Sequence, residues 1–168
     1  MNSFSRLFYF KVGIFCLFSF FLVSCSGNSQ LETEINSIDV TIDIDRFDLN
    51  FYKANSEEYI QLKKKYPYLF PEQYPDSIWK KRQRDSIQVL LHEEIKKVYP
   101  TLIPIEEALE DLYKHIKYYF PSIKDPHVVT VVNNVDYQSK TVFTDSLLII
   151  SLDTYLGSKN PIYEGIPN

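Results

Sequence analysis

Residues 147–152 read Leu-Leu-Ile-Ile-Ser-Leu, a run that is apolar at successive positions instead of alternate ones. A strand with one face in water alternates apolar and polar residues, whereas a strand covered on both faces does not. We therefore predict that this run is a central strand, in a sheet with packing on both sides.

Three other segments have the texture of strands. Residues 128–132 and 141–143 are rich in Val, Thr and Phe and flank a turn-rich stretch. Residues 38–44 alternate, with Ile38, Val40, Ile42 and Ile44 on one face, which is typical of a half-buried strand. The apolar positions then shift to odd numbers, and this one-residue slip predicts a bulge or bend near residues 45–46.

The polar face of that first strand carries Asp39, Thr41 and Asp43. A row of carboxylates could bind calcium, but the glycine and the distal Glu of an EF-hand loop are missing. We favour an ordinary solvated face.

Helical periodicity is clear in three segments. Asn55 and Glu58 form a capping-box pattern at the start of a helix that ends near Lys65. Asp76 is a suitable N-cap for a second helix over residues 77–98. The third helix follows Pro104, and its continuous apolar stripe predicts packing on the sheet, with Leu112 buried; the stripe consists of Ile105, Ala108, Leu109, Leu112, Ile116 and Tyr119. The prediction is an α+β fold, with helices packed on a small mixed β-sheet in one domain over residues 38–168.

Between the first two helices, residues 66–75 contain three prolines and four aromatic residues, so they cannot form regular structure. Two interpretations stand. The segment could be a partner-binding surface, because aromatic side chains dominate binding hot spots; its aromatic residues are Tyr66, Tyr68, Phe70 and Tyr74. It could instead be a rigid connector held on the core, which we favour.

The amino-terminal segment has the pattern of a bacterial lipoprotein signal. Arg6 and Lys11 precede an apolar run over residues 12–23, and the run ends in Leu22-Val23-Ser24-Cys25. We predict a signal peptide over residues 1–24 and a lipidated, flexible tether over residues 25–37, with diacylglycerol on the Cys25 thiol and further acylation such as palmitate. The alternatives are an ordinary cleaved signal peptide or an uncleaved anchor with a chance cysteine.

Composition excludes several classes of function. The chain has 18 Lys and Arg against 22 Asp and Glu, and the only charged residues in the predicted signal are basic. Removal of the signal therefore leaves an acidic mature protein, which offers no basic surface for nucleic acid. Cys16 leaves with the signal and Cys25 is acylated, so no thiol is left for a metal site or a nucleophile. Glycines are too few for a phosphate-binding loop.

The residues show no catalytic motif. His92 and Glu93 resemble the start of the zinc motif H-E-x-x-H, but position 96 is Lys and not His. His115 and His127 have no local carboxylate or thiol partner in the sequence. We therefore expect no metal, no cofactor and no enzymatic activity.

Four blocks carry a resemblance to a known family: residues 45–48 (DRFD), 65–71 (KYPYLFP), 115–121 (HIKYYFP) and 144–157 (TDSLLIISLDTYLG). The chain resembles the GldB family of gliding-motility lipoproteins of Bacteroidota from its lipobox to Asn168. Because members of that family are longer, the resemblance also implies an N-terminal fragment.

The resemblance implies a periplasm-facing, lipid-anchored protein of the cell envelope that is required for gliding, with the inner or outer membrane left open. Its implied partners are other proteins of the gliding and type IX secretion machinery. The order of elements also resembles zincin-like metallopeptidases at the level of fold, which gives an alternative function as an active or degenerate peptidase-like domain. A zinc helix of that kind would lie after residue 168.

The lipobox predicts that Cys25→Ala leaves an unprocessed precursor without acyl label, because the thiol that receives the lipid is gone. Labelling with a fatty-acid analogue and gel mobility measure both effects. Cys16→Ala is the matched control and should be labelled normally. Normal labelling of Cys25→Ala would contradict lipidation at this residue.

Overall fold

A four-stranded mixed sheet organises the structure, a computed structural model that describes residues 28–144 and 146–164. Its strands are β1 (Ile44–Asp45), β2 (His127–Val131), β3 (Thr141–Thr144) and β4 (Leu147–Ser151). Their order is β1-β2-β4-β3; β2 is parallel to both β1 and β4, and β3 is antiparallel to β4. The predicted α+β class with a small mixed sheet is confirmed.

The inner strands β2 and β4 are covered on both faces, as the apolar run predicted. Val128 belongs to one apolar cluster, together with Leu91 and Tyr113 from helices on that side. Val129, the next residue, belongs to a second cluster that is mostly aromatic and includes Phe47. Because successive side chains of a strand point to opposite faces, the two clusters lie on opposite sides of the sheet.

Six helices of the described residues surround the sheet: α1 (Asn28–Asn36), α2 (Phe47–Lys53), α3 (Ser56–Lys65), α4 (Asp76–Arg82), α5 (Ser86–Val98) and α6 (Ile103–Tyr119). The capping box of α3 is confirmed: Asn55 Oδ1 accepts from the backbone N–H of Glu58, and the Glu58 carboxylate accepts from the N–H of Asn55. In this part of the chain, no helix is both long and apolar enough to span a bilayer.

The first predicted strand is much shorter than expected. Its burial alternates as predicted, with Val40 and Ile42 buried, but only Ile44 and Asp45 pair with β2. Alternation of apolar and polar residues shows which side chains face the core. It does not show whether a neighbouring strand lies close enough to form backbone hydrogen bonds. The shift of the apolar positions near residues 45–46, predicted to mark a bulge or bend, is the change from strand to helix: β1 ends at Asp45, and α2 begins at Phe47 and places Phe47 and Phe51 one turn apart.

The predicted long helix over residues 77–98 is two helices. The Asp85 carboxylate accepts from the backbone N–H groups of Ile87 and Gln88, which starts α5 anew after the turn that follows α4. Asp76 is not an N-cap, since it is the first residue of α4, and its carboxylate accepts from Lys63 Nζ at 2.6 Å. A local side-chain cap ended a periodicity that would otherwise have continued.

Helix α6 is confirmed, but its buried face is rotated from the predicted one. Tyr113 is its buried residue, and Ile105, Leu109 and Ile116 pack beside it on the sheet. Leu112 is 50% exposed, so its predicted burial is wrong. The four-residue spacing of Ile105, Leu109 and Tyr113 marks the true face, and the predicted stripe left Tyr113 out.

The predicted tether is structured over much of its length. Residues Asn28–Asn36 form α1, and Ile35 on this helix is fully buried. The Tyr118 hydroxyl on α6 donates to the Glu34 carboxylate, which joins the two helices. Because Ile35 is the one buried apolar residue that α1 contributes to the core, the sequence shows no helical periodicity there. The signal and Cys25 lie outside the described residues.

Two adjacent leucines of α5 test the placement of the core. Leu91 is 1% exposed and Leu90 is 55% exposed. Leu91→Ala should lower the free energy of unfolding by about 2–5 kcal/mol, because it leaves a cavity in the core. Leu90→Ala removes the same atoms from the surface and should cost about 0.5 kcal/mol or less. Urea denaturation measures both, and equal costs would contradict this orientation of α5.

A candidate binding site at the carboxyl ends of the parallel strands

The carboxyl ends of the three parallel strands bring polar side chains to one edge of the sheet. Asp48 and Tyr52 follow β1 on α2, Asn133 follows β2, and Asp153 follows β4. In open sheets with parallel strands, this edge is where ligands usually bind. It is therefore the first place to look for a site.

Asp48, like Asp153 at the same edge, has no exposed surface. Arg46 holds its carboxylate with two parallel bonds, Nε to Oδ1 at 2.9 Å and Nη2 to Oδ2 at 2.8 Å. The Thr130 hydroxyl on β2 donates a third bond to Oδ1 at 2.5 Å. These three bonds make Asp48 a structural anchor that joins α2 to the central strand β2.

His92, on α5, is also buried, and its Nδ1 lies 3.0 Å from the backbone carbonyl oxygen of Asp48. A carbonyl can only accept, so Nδ1 carries a hydrogen. Burial lowers the pKa of His92 below its ordinary value of 6.5, against the opposing effects of the Asp48 carbonyl and Glu93. The ring is therefore neutral at pH 7, and it stacks on Tyr52 with ring centres 4.9 Å apart.

Gln88 is the centre of a second network. Its Oε1 accepts from the Tyr52 hydroxyl and from Arg82 Nε, and its Nε2 donates to Asn134 Oδ1. Burial raises the pKa of Tyr52 to about 12, although the nearby Arg82 guanidinium acts in the opposite direction. Tyr52 is thus a neutral hydroxyl at physiological pH. The network ties α2, α4 and α5 to the loop after β2.

That loop is strained and is held by Asp153. Asn134 and Val135 have φ angles of 57° and 56°, a left-handed conformation that is unusual for a β-branched residue such as Val. The buried Asp153 carboxylate accepts from the backbone N–H groups of Asn133 and Val135, the latter at 2.6 Å. Strain of this kind persists only when the surroundings enforce it, and it costs about 1–3 kcal/mol per residue. Here the Asp153 carboxylate holds the loop in this conformation.

A cavity of about 110 Å³ lies at this edge, open to solvent on one side. Its walls are mainly aromatic and aliphatic, with one charged group, and they come from α2, α4, β2 and residues 66–75; the lining residues are Phe47, Phe51, Tyr52, Leu69, Trp79, Arg82, Val131, Val132 and Asn133. We call this the carboxyl-end cavity.

The four aromatic residues proposed for partner binding divide into two pairs. Tyr66 and Phe70 are buried and pack edge-on against Phe47, with ring centres 5.2 and 5.8 Å apart. Tyr68 and Tyr74 are 40% and 48% exposed. The buried pair therefore belongs to the core, and the exposed pair is accessible to a partner.

The residues that build this edge were not predicted as site residues from the sequence: Arg46, Asp48, Arg82, Gln88 and Asp153. Arg46, Asp48 and Asp153 lie in blocks that carry the family resemblance. The available signal was a polar or charged residue shortly after each parallel strand. His92 was set aside as a zinc ligand because Lys96 replaces the second His, and the structure pairs Lys96 with Glu93 at 2.9 Å. Within the described residues, no cluster of three or more His, Cys, Asp or Glu side chains could hold a metal.

Comparison with known proteins identifies a family. The family model described as gliding motility protein GldB matches residues 28–168, which confirms the resemblance drawn from the sequence blocks. Neither the curated proteins nor the solved structures contain a match to this chain. The zincin-like alternative gains no support from these comparisons.

The buried His92 predicts a specific loss of stability in mild acid. Its pKa is lowered from 6.5 in the folded protein, so below about pH 6.5 the unfolded chain binds a proton that the folded chain resists. The contribution to stability is complete above pH 6.5 and is lost as the pH falls through this window.

Urea unfolding at pH 7.5 and 5.5 measures the effect. His92→Gln should lose less stability than the unsubstituted protein between the two values. His115→Gln, at a more exposed histidine, is the control and should follow the unsubstituted protein. Equal losses for His92→Gln and the unsubstituted protein would show that His92 does not titrate as its burial requires.

Proposed function

We propose, from the premise that the chain belongs to the gliding motility protein GldB family, that it acts as a lipid-anchored protein of the cell envelope that binds partners in the gliding machinery. The family match over residues 28–168 is the observation that carries the proposal. The partners are other envelope proteins of that machinery and of its associated type IX secretion apparatus, and the anchor faces the periplasm.

The lipid anchor is proposed at Cys25, from the lipobox at the end of the apolar run. Helix α1 begins at Asn28, three residues after Cys25. Three residues span at most about 10 Å, so a lipid on Cys25 would hold the domain close to the bilayer. Ile35 then joins α1 to the body of the domain, which supports a short connection to the membrane.

Partner binding is proposed at the exposed tyrosines of residues 66–75. Tyr68 and Tyr74 are carried by a segment that Tyr66 and Phe70 fix to the core, and Tyr74 packs edge-on against Trp79 at 6.3 Å. A segment that is already ordered loses little entropy on binding, and tyrosine gives a large contact area per immobilised side chain. These properties suit a docking surface.

We also propose that the domain performs no chemistry of its own. The buried ring of His92 donates from Nδ1 to the Asp48 carbonyl oxygen and packs against Tyr52, so it joins α5 to α2. The buried carboxylates of Asp48 and Asp153 each accept hydrogen bonds from groups of two different residues. These arrangements favour a role in structure and binding.

The docking proposal predicts that replacing Tyr68 and Tyr74 together with Ser abolishes gliding while the protein stays folded, lipidated and abundant. Gliding is measured on cells that carry the variant as their only copy, with immunoblots for abundance. The control replaces Tyr119 and Phe120 with Ser, because both are 61% exposed and lie at the end of α6, away from this segment.

Normal gliding by the Tyr68 and Tyr74 double variant would remove this surface from consideration, and the acidic residues Asp39 and Asp43 would be tested next. Loss of the protein itself would show that these tyrosines also serve as part of the connector.

A further inference from the structure

Neither exposed tyrosine lines the carboxyl-end cavity, although Tyr74 packs against Trp79 in its wall. Arg82 is the one charged residue among its lining residues, and the other walls are mainly Phe, Trp, Leu and Val. A guanidinium set in apolar walls is desolvated at a cost, which an anionic partner would offset.

The guanidinium of Arg82 is fixed in place but not neutralised. Its Nε donates to Gln88 Oε1 at 3.1 Å, and its Nη2 donates to the carbonyl oxygen of Val132 at 2.8 Å. Among the described residues, no acidic side chain lies within 4.0 Å of it. Asp153 is near enough to interact electrostatically, but its oxygens are bonded to the N–H groups of Asn133 and Val135.

No hydrogen bond of its remaining nitrogen, Nη1, occurs in the part of the chain that the structure describes, although the Tyr52 hydroxyl lies near enough to interact with the guanidinium. Every buried side-chain nitrogen and oxygen there has a hydrogen-bond partner, so Nη1 must be accessible to solvent. The Asn133 side chain lies in the same lining, and no hydrogen bond of its amide occurs among the described residues. The cavity therefore offers a charged donor and a neutral one above an apolar floor.

The size of the cavity limits what can bind. An engineered apolar cavity of about 150 Å³ holds benzene, and this one of about 110 Å³ is slightly smaller but open on one side. A single guanidinium matches a carboxylate, whereas a phosphate needs more donors than this lining supplies. The walls are pre-formed, because Phe47 and Phe51 stack with centres 5.2 Å apart and the loop at Asn133 is held by Asp153.

We propose that the carboxyl-end cavity binds a small organic carboxylate with a compact apolar tail, of about the size of benzoate. The carboxylate bonds Nη1 of Arg82 and the side-chain amide of Asn133. The tail lies against Trp79 and Phe51. This site uses neither Tyr68 nor Tyr74, the residues of the proposed docking surface.

Trp79 gives the experiment its reporter, because it is the single tryptophan of the chain and lines the cavity. The full chain, purified in detergent, is titrated with benzoate and separately with benzamide, which has the same shape and no charge. Benzoate should change the Trp79 fluorescence saturably. Benzamide should bind at least tenfold more weakly, since it lacks the charge-assisted bond to Arg82.

Two variants separate the charge of the site from its space. Arg82→Gln should weaken benzoate binding at least tenfold, whereas Arg84→Gln, an equal change of charge at an exposed residue outside the lining, should leave it unchanged. Because Arg82 also bonds Val132, its variant could be destabilised. Leu69→Phe keeps every polar bond and fills the cavity, so it should also abolish binding.

Three results would overturn the proposal. Equal affinity for benzoate and benzamide would show that the charge has no role. Equal effects of Arg82→Gln and Arg84→Gln would point to a general surface charge. The absence of a saturable response up to about 10 mM benzoate, an affinity weaker than about −3 kcal/mol, would leave the cavity to a side chain of a protein partner.

Discussion

The buried carboxylate of Asp48 is the constraint on which much of this structure depends. Arg46, two residues earlier, neutralises it, and Thr130 bonds it from the central strand β2. Arg46 also donates to the carbonyl oxygen of Tyr99 after α5. One acid thus ties the start of α2 to the sheet and to the end of α5. Since a buried charge left without its partner costs about 3–5 kcal/mol, these elements cannot separate cheaply.

From this anchor the rest of the carboxyl edge follows. Helix α2 begins beside Asp48 and carries Phe47 and Phe51 into the aromatic cluster that holds residues 66–75 in place. After the parallel strand β4, Asp153 fixes the strained loop that follows β2. The two acids thus fix helix α2 and the loop after β2, and both of these elements contribute residues to the lining of the cavity. The chain belongs to the gliding motility protein GldB family, so this edge of the sheet is part of the architecture of that family.

The sequence predicted what local patterns encode. Strands β2, β3 and β4, the capping box of Asn55 and Glu58 and the existence of α6 all followed from periodicity and short-range chemistry. It did not predict the break at Asp85, where one carboxylate cap competes with a continuing apolar pattern. Nor could it predict the polar edge, because Asp48 and Thr130 are 82 positions apart and nothing local marks them as partners. The face of α6 was misread because Tyr113 was not counted as part of the core.

A double-mutant cycle between Asp48 and Thr130 is the most direct measurement of the role given to Asp48. The free energy of unfolding is determined for Asp48→Asn, for Thr130→Val and for the two combined. Asp48→Asn should cost about 3–5 kcal/mol, because it leaves the Arg46 charge without a partner. The combined variant should depart from additivity by about 0.5–3 kcal/mol, since the charge-assisted bond from Thr130 to the carboxylate becomes a weaker neutral bond in Asp48→Asn. A cost below about 0.5 kcal/mol for Asp48→Asn, or strictly additive effects, would show that this edge of the sheet is held by other contacts.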